Sequence, residues 1–285
     1  MSVLVARDSE ESSSLNDAVK QRPFLSRASA YYRKWGAKKS FKQFSDSMWK
    51  GFLNSALRNV ATPGLEDFYK GGSFHTSVER ALIEFLKTDN AELNSLGNEY
   101  RAVAERLRER LNARLARLSY PESWNLGDAA ALLLYVAVRL TKPDTVLETG
   151  IANGYSSSVI LSALNNNKKG KLVSLDASPD VGSLVSEAER DRWKLTVLDS
   201  RRERQSFSKA ISDLSQVDIF FHDSEHSYRW QRFELDTVRT RLRSGSLVIV
   251  DDANLSYAFI DFALAHARIP LSLVSEGRIV GALRW

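Results

Sequence analysis

The chain has no cysteine in 285 residues. This excludes disulfides, thiolate nucleophiles and cysteine-ligated zinc, and a reducing cytosol is the default compartment. Long apolar runs are missing too. The longest, Ala129 to Val138 (AAALLLYVAV), falls well short of the ~20 residues that cross a bilayer as a helix. The N-terminus, MSVLVARDSEESSS, turns acidic after too short an apolar stretch for a signal peptide. No membrane partner is expected.

What is present is ordinary for a soluble globular protein: 43% hydrophobic and 26% charged residues. The length suits one large domain, or one domain with an accessory piece. The net charge of +5 is unevenly placed: residues 1–120 hold 20 Lys and Arg against 14 Asp and Glu, and residues 121–285 hold 20 against 21. A basic N-terminal part can meet an anionic partner, nucleic acid included, but a solvated helical surface is the commoner cause.

Residues 1–22 are polar and serine-rich and read as a disordered tail. Residues 23–119 read as a helical cap or accessory region. It opens with aromatics interleaved with bases (Phe24, Tyr31, Tyr32, Arg33, Lys34, Trp35). A helix over Phe44 to Val60 follows, stopped by Thr62-Pro63-Gly64, and then one opened by Thr76 and Glu79 at capping-box spacing. The stretch Ala91 to Leu118 is a long helix with apolar residues, mostly leucine with Tyr100 and Val103, every three or four positions. Gly97 interrupts it, and its Arg and Glu residues are expected to face solvent. The length and charge of this helix are compatible with a homodimer.

From residue 120 the pattern changes. A loop leads to an apolar helix capped by Asp128 or Asn125. The stretch DTVLETGIANGYSSSVILSALNNNKKGKLVSLDASP, residues 144–179, then reads as strand, glycine turn, helix and strand. Glu148, Gly150, Ala152 and Gly154 form an E-x-G-x-A-x-G turn, and Asp176 closes the second strand. Glycines admit a bulky ligand close to the backbone, and the helix behind them presents free N–H groups. A carboxylate at the next strand end can accept both hydroxyls of a ribose. The carboxylate in the turn would repel a pyrophosphate and suits a ligand with a positive end, such as S-adenosylmethionine. An ordinary βα turn is the bland alternative.

Further strands follow at Lys194 to Leu198, Val217 to Phe221 and Ser246 to Val250, alternating with helices, and Leu271 to Val274 and Arg278 to Leu283 close the chain as a hairpin turning at Glu276-Gly277. The expected fold is α/β: a Rossmann-like, seven-stranded, mostly parallel sheet with a terminal antiparallel hairpin, over residues 120–285. Five strands end in carboxylates: Glu148, Asp176, Asp199, Asp223 and Asp251-Asp252. Asp223, Asp251 and Asp252 offer hard oxygen donors that suit magnesium, with helix capping and arginine pairing as the alternatives. Glu225 and His226 are candidate general bases, and His222 is expected to be packed or hydrogen-bonded at its strand end.

The motifs ETGIANG, VSLDASP, VDIFFHDSEHSY and LRSGSLVIVDD, with the hairpin, make residues 120–285 resemble class I S-adenosylmethionine-dependent methyltransferases. Within that superfamily they look most like the metal-dependent sugar O-methyltransferases of macrolide and aminocoumarin pathways. The resemblance implies that Glu148, Gly150 and Gly154 line the methionine end of the cofactor, that Ala152 and Ser156 also belong to the cofactor site, and that Asp176 binds the ribose. Ala177, Asp199 and Ser200 would flank the adenine. Asp223, Asp251 and Asp252 would hold a divalent metal, with Glu225 the first choice for the base and His226 the second. Ser224 and Glu225 depart from the family's glycine and aspartate. The implied activity is metal-assisted O-methylation of a hydroxylated small molecule in secondary metabolism, in the cytoplasm. A metal-independent N- or O-methyltransferase is the nearest rival. A non-catalytic cofactor-binding protein with a nucleic-acid-binding N-terminal region is another.

Overall fold

Strands buried on both faces read as nearly continuous apolar runs, and helices must then cover each side. That is the architecture found in the computed structural model, which describes residues 59–61, 76–268, 270–275 and 278–285. The expectations for residues 1–58 and 62–64 and for the turn at Glu276-Gly277 lie outside the described residues. The strands are β1 (Asn59–Ala61), β2 (Thr145–Thr149), β3 (Lys171–Asp176), β4 (Trp193–Val197), β5 (Val217–His222), β6 (Leu242–Val250), β7 (Leu271–Ser275) and β8 (Arg278–Arg284). They form one sheet in the order β1-β7-β8-β6-β5-β2-β3-β4. Every pairing is parallel except the two made by β8.

The expected seven strands are all present. The eighth, β1, is a correction: Val60, assigned to the end of a helix, lies in a strand paired with Leu273. A β-branched residue beside an open parallel edge gains a ladder there that helical spacing alone does not reveal.

The described helices are α1 (Thr76–Leu86), α2 (Asn90–Arg114), α3 (Asp128–Thr141), α4 (Tyr155–Asn167), α5 (Glu203–Ser212), α6 (Tyr228–Val238) and α7 (Ala258–Ala265). Side chains alternate along each strand, so Leu247 and Ile249 of β6 join the core under α1–α4, while Val248 and Val250 join the one under α5–α7. Helix α3 is buried from Ala129 to Val138, enclosed between the sheet and α2. Its N-cap is Gly127, not Asp128 or Asn125. Asp128 is the first helical residue and pairs with Arg108 at 3.3 Å. No helix among the described residues is long and apolar enough to cross a membrane.

The arginines of α2 also depart from expectation. Arg110 donates to the Leu184 carbonyl at 2.7 Å and to Glu189 at 2.8 Å, and Arg114 donates to the Ser183 carbonyl. They strap down the loop after β3. Glu99, on the same helix, accepts from Arg139 (2.6 Å), Tyr135 (2.5 Å) and Asn166 (2.9 Å), joining α2 to α3 and α4.

The Arg139 hydrogen bond, aided by Tyr135 and Asn166, holds the Glu99 carboxyl down at about 2 against an ordinary 4.5. A depressed folded-state value stabilises the fold above the ordinary value, and the contribution is lost as pH falls from 4.5 through 2. Because the side chain is 33% exposed, solvent screening trims the effect to about 1–2 kcal/mol. Thermal melts at stepped pH are expected to lose that amount over this window in the wild type. Glu99→Gln should be less stable near neutrality and should lack this part of the acid sensitivity.

Candidate functional site

The connections leaving β2 and β5 diverge at the centre of the sheet, and such switch points open a crevice at the strand C-termini. The chain passes from β2 through Gly150 (φ 79°), Ala152 (φ 46°) and Gly154 (φ 85°) into α4. A Cβ on Gly150 would lie 2.1 Å from the Asp223 carbonyl oxygen, so only glycine lets the turn rest on the end of β5. Ala152 takes the left-handed conformation while its carbonyl accepts from the Gly182 N–H at 2.9 Å.

Glu148 lies beneath the turn. It is fully buried, and its carboxylate accepts from Ser156 (2.6 Å), Ser157 (2.7 Å) and Ser174 (2.7 Å). This corrects its expected place beside the ligand, and that of the Ser156 hydroxyl. The two side chains clamp α4 and β3 to the turn from below. Burial raises the Glu148 carboxyl above its usual range, against the pull of the three hydroxyls.

Asp176 lies at the mouth of the crevice. Its two oxygens accept from the N–H groups of Ile151 and Ser178, each at 2.9 Å. A carboxylate has about four acceptor positions, so two remain for a pair of ligand hydroxyls. Ala177 is half-buried beside it. Asp199 and Ser200 are exposed past β4, and Asp199 accepts from the Arg201 N–H at 2.9 Å. Tyr120 went unnoticed in the sequence. Its hydroxyl bonds to Ser178 and is raised above its usual range by burial, then by Asp176 and Asp180. Its backbone bonds to Asn153 in the turn, and its ring lies 5.7 Å from that of Trp124. An aromatic ring in the loop before an apolar helix was the available signal.

On the other side of the turn, β5 and β6 bring Asp223, Asp251 and Asp252 together. Burial, then Asp251 and Asp252, push the Asp223 carboxyl well above its ordinary value, with Arg278 acting in the opposite sense. His226 Nε2 lies 3.6 Å from Asp223. Glu225 accepts from the hydroxyl of Ser227, the N-cap of α6, at 2.8 Å.

Beneath this group is a second residue the sequence did not single out. Buried Glu234 accepts from Thr149 (2.7 Å), Ser224 (2.8 Å), Trp230 (2.6 Å) and, paired with it at 2.7 Å, His222 Nδ1. Four donors fill the carboxylate and fix the ends of β2 and β5 to α6. His222 is thus hydrogen-bonded at its strand end, as expected.

The oxygen donors of Asp223, Asp251 and Asp252 have the right chemistry for magnesium, but the position beside Asp251 is taken by a cation of the chain. Arg278 Nη1 stands 3.7 Å from Asp251. The turn and Asp176, by contrast, retain the glycine backbone and the carboxylate acceptor positions that suit a ribose.

Residues 147–253 match the family model described as a methyltransferase domain. Comparison with curated proteins gives no match. Among solved structures, an O-methyltransferase from Bacillus cereus in complex with SAH is 17% identical, with a TM-score of 0.49, covering 74% of this chain and 98% of that one. A putative O-methyltransferase from Klebsiella pneumoniae is 18% identical, with a TM-score of 0.48, covering 73% and 96%. An SAH-bound methyltransferase from Podospora anserina is 16% identical, with a TM-score of 0.48, covering 63% and 87%.

Proposed function

We propose that this chain is an S-adenosylmethionine-dependent methyltransferase that acts on an oxygen of a hydroxylated small molecule of sugar or natural-product type. The observation that carries the reading is one of coincidence. The segment matching a methyltransferase domain, residues 147–253, contains the glycine turn, Asp176 and the acidic strand ends that converge on one sheet edge.

Asp176 would hold the ribose, with Ala177, Asp199, Ser200 and Tyr120 on the adenine side. The backbone of Gly150 to Gly154 and the first turn of α4 would receive the methionine end. When bound, the cofactor supplies a methyl group made electrophilic by its sulfonium. The protein's part is to align the acceptor oxygen and to remove its proton. His226 is better placed for that proton than Glu225. Its ring stands beside Asp223, whereas Glu225 is engaged by the helix cap. This reverses the order of preference read from the sequence.

The test is transfer of a radiolabelled methyl group from S-adenosylmethionine to a panel of hydroxylated acceptors. His226→Asn is expected to lower the rate by about 10²–10⁴-fold and to remove an inflection from the pH–rate profile, leaving S-adenosylhomocysteine affinity intact. Glu225→Gln is expected to change the rate little. A larger loss in Glu225→Gln would return the base to Glu225. Failure of the wild type to bind S-adenosylhomocysteine would end the methyltransferase reading.

A further inference from the structure

The acidic cluster on the acceptor side has a cation drawn from the chain itself. Arg278 opens β8, the strand inserted between β6 and β7. Its guanidinium reaches back across the strand ends to Asp251, 3.7 Å from Nη1 to Oδ2. The same group donates to the carbonyls of Asn125 at 3.0 Å and Ser123 at 2.5 Å. The side chain is only 20% exposed. It is therefore held at three points by the strand end and by the loop before α3. An arginine keeps its charge at any pH a protein survives, and its planar fork suits several oxygens at once.

We infer that Arg278 is the resident counter-charge of the Asp223, Asp251 and Asp252 cluster and stands in place of a divalent ion. A magnesium ion on Asp251 would need an oxygen at ~2.1 Å and near-octahedral surroundings. Such an ion would lie against the guanidinium, and two positive centres would share one carboxylate. Moving the arginine aside would strip two backbone carbonyls of their donor, so the arrangement resists displacement. For catalysis this rests on the methyltransferase reading and narrows it: the acceptor need not chelate a metal through paired oxygens, so a lone hydroxyl suffices.

The charge arrangement can be tested without an acceptor. Manganese would be titrated into the full chain and free ion followed by electron paramagnetic resonance. The wild type is expected to show no saturable site at millimolar manganese. Arg278→Gln is expected to gain a single site, which the added change Asp251→Asn removes. Arg278→Lys is expected to behave as the wild type.

Two outcomes would overturn the inference. One is a saturable site in the wild type that Asp251→Asn abolishes. The other is no gain of binding in an Arg278→Gln protein whose melting profile shows it folded. If that variant does not fold, the wild type and its Asp251→Asn counterpart still decide the question. S-adenosylhomocysteine binding, measured on the same samples, tests the methyltransferase reading separately, since the manganese signal does not depend on it.

Discussion

Asp176→Ala is expected to weaken S-adenosylhomocysteine binding by at least ~100-fold, which is about 2.7 kcal/mol. Hydrogen bonds to an ionised group contribute about 1.5–3 kcal/mol each, and two ribose hydroxyls would lose theirs together. The loss extends into the protein. Asp176 also accepts from the Ile151 N–H, so alanine removes a fixed point of the glycine turn as well as the ligand's partner. Asp176→Asn should fall in between, because one amide oxygen cannot replace two carboxylate oxygens. Calorimetric titration measures both variants against the wild type. Wild-type affinity in Asp176→Ala would remove this residue from the cofactor site.

The second large effect concerns stability. Glu148→Ala is expected to cost about 3–5 kcal/mol, since it opens a buried cavity and strips three serine hydroxyls of their acceptor. For a chain of this size, that lowers the melting midpoint by roughly 10 °C. Glu148→Gln should cost less, because its shape is kept and hydroxyls can rotate to accept from the amide. The two variants also differ from the wild type in their response to pH. Burial raises the Glu148 carboxyl, so the folded state keeps this proton to higher pH than the unfolded chain does. The contribution is fully present below the ordinary carboxyl range and is withdrawn as pH rises through the raised value. Glu99 has the opposite sign. Differential scanning calorimetry of Glu148→Gln across that range should show this dependence removed. A wild-type melting point in Glu148→Ala would mean that the clamp carries no load.

The βαβ unit was legible in the sequence because its signals are local. Glycine at positive φ, strands of apolar residues and carboxylates at strand ends are written in neighbouring positions, and the order of elements followed from them. The direction in which a carboxylate points is not local. Glu148 and Asp176 look alike in sequence, yet Glu148 faces three serines. One of them, Ser174, sits opposite it on β3, a relation that exists only once the strands pair. Glu234 and Arg278 were missed for the same reason. Each acts on residues that the fold brings from other elements: Thr149 and His222 for Glu234, and Asp251 and Asn125 for Arg278. The arginines of α2 read as solvent charge because nothing in the helix reveals that the loop at Ser183 and Leu184 passes beneath it. The strand at Asn59 to Ala61 escaped notice because three residues are too few for a period.

That short strand has a consequence for how the chain is made. Its ladder joins Asn59 to Ser272 and Ala61 to Val274, so one sheet edge unites the first described residues with nearly the last. Synthesis runs from the N-terminus, and contacts of such long sequence separation form slowly. Asn59 to Ala61 must therefore wait during synthesis until β7, more than two hundred residues later, has emerged. A chain lacking β7 and β8 would leave both β1 and the flank of β6 open to other strands.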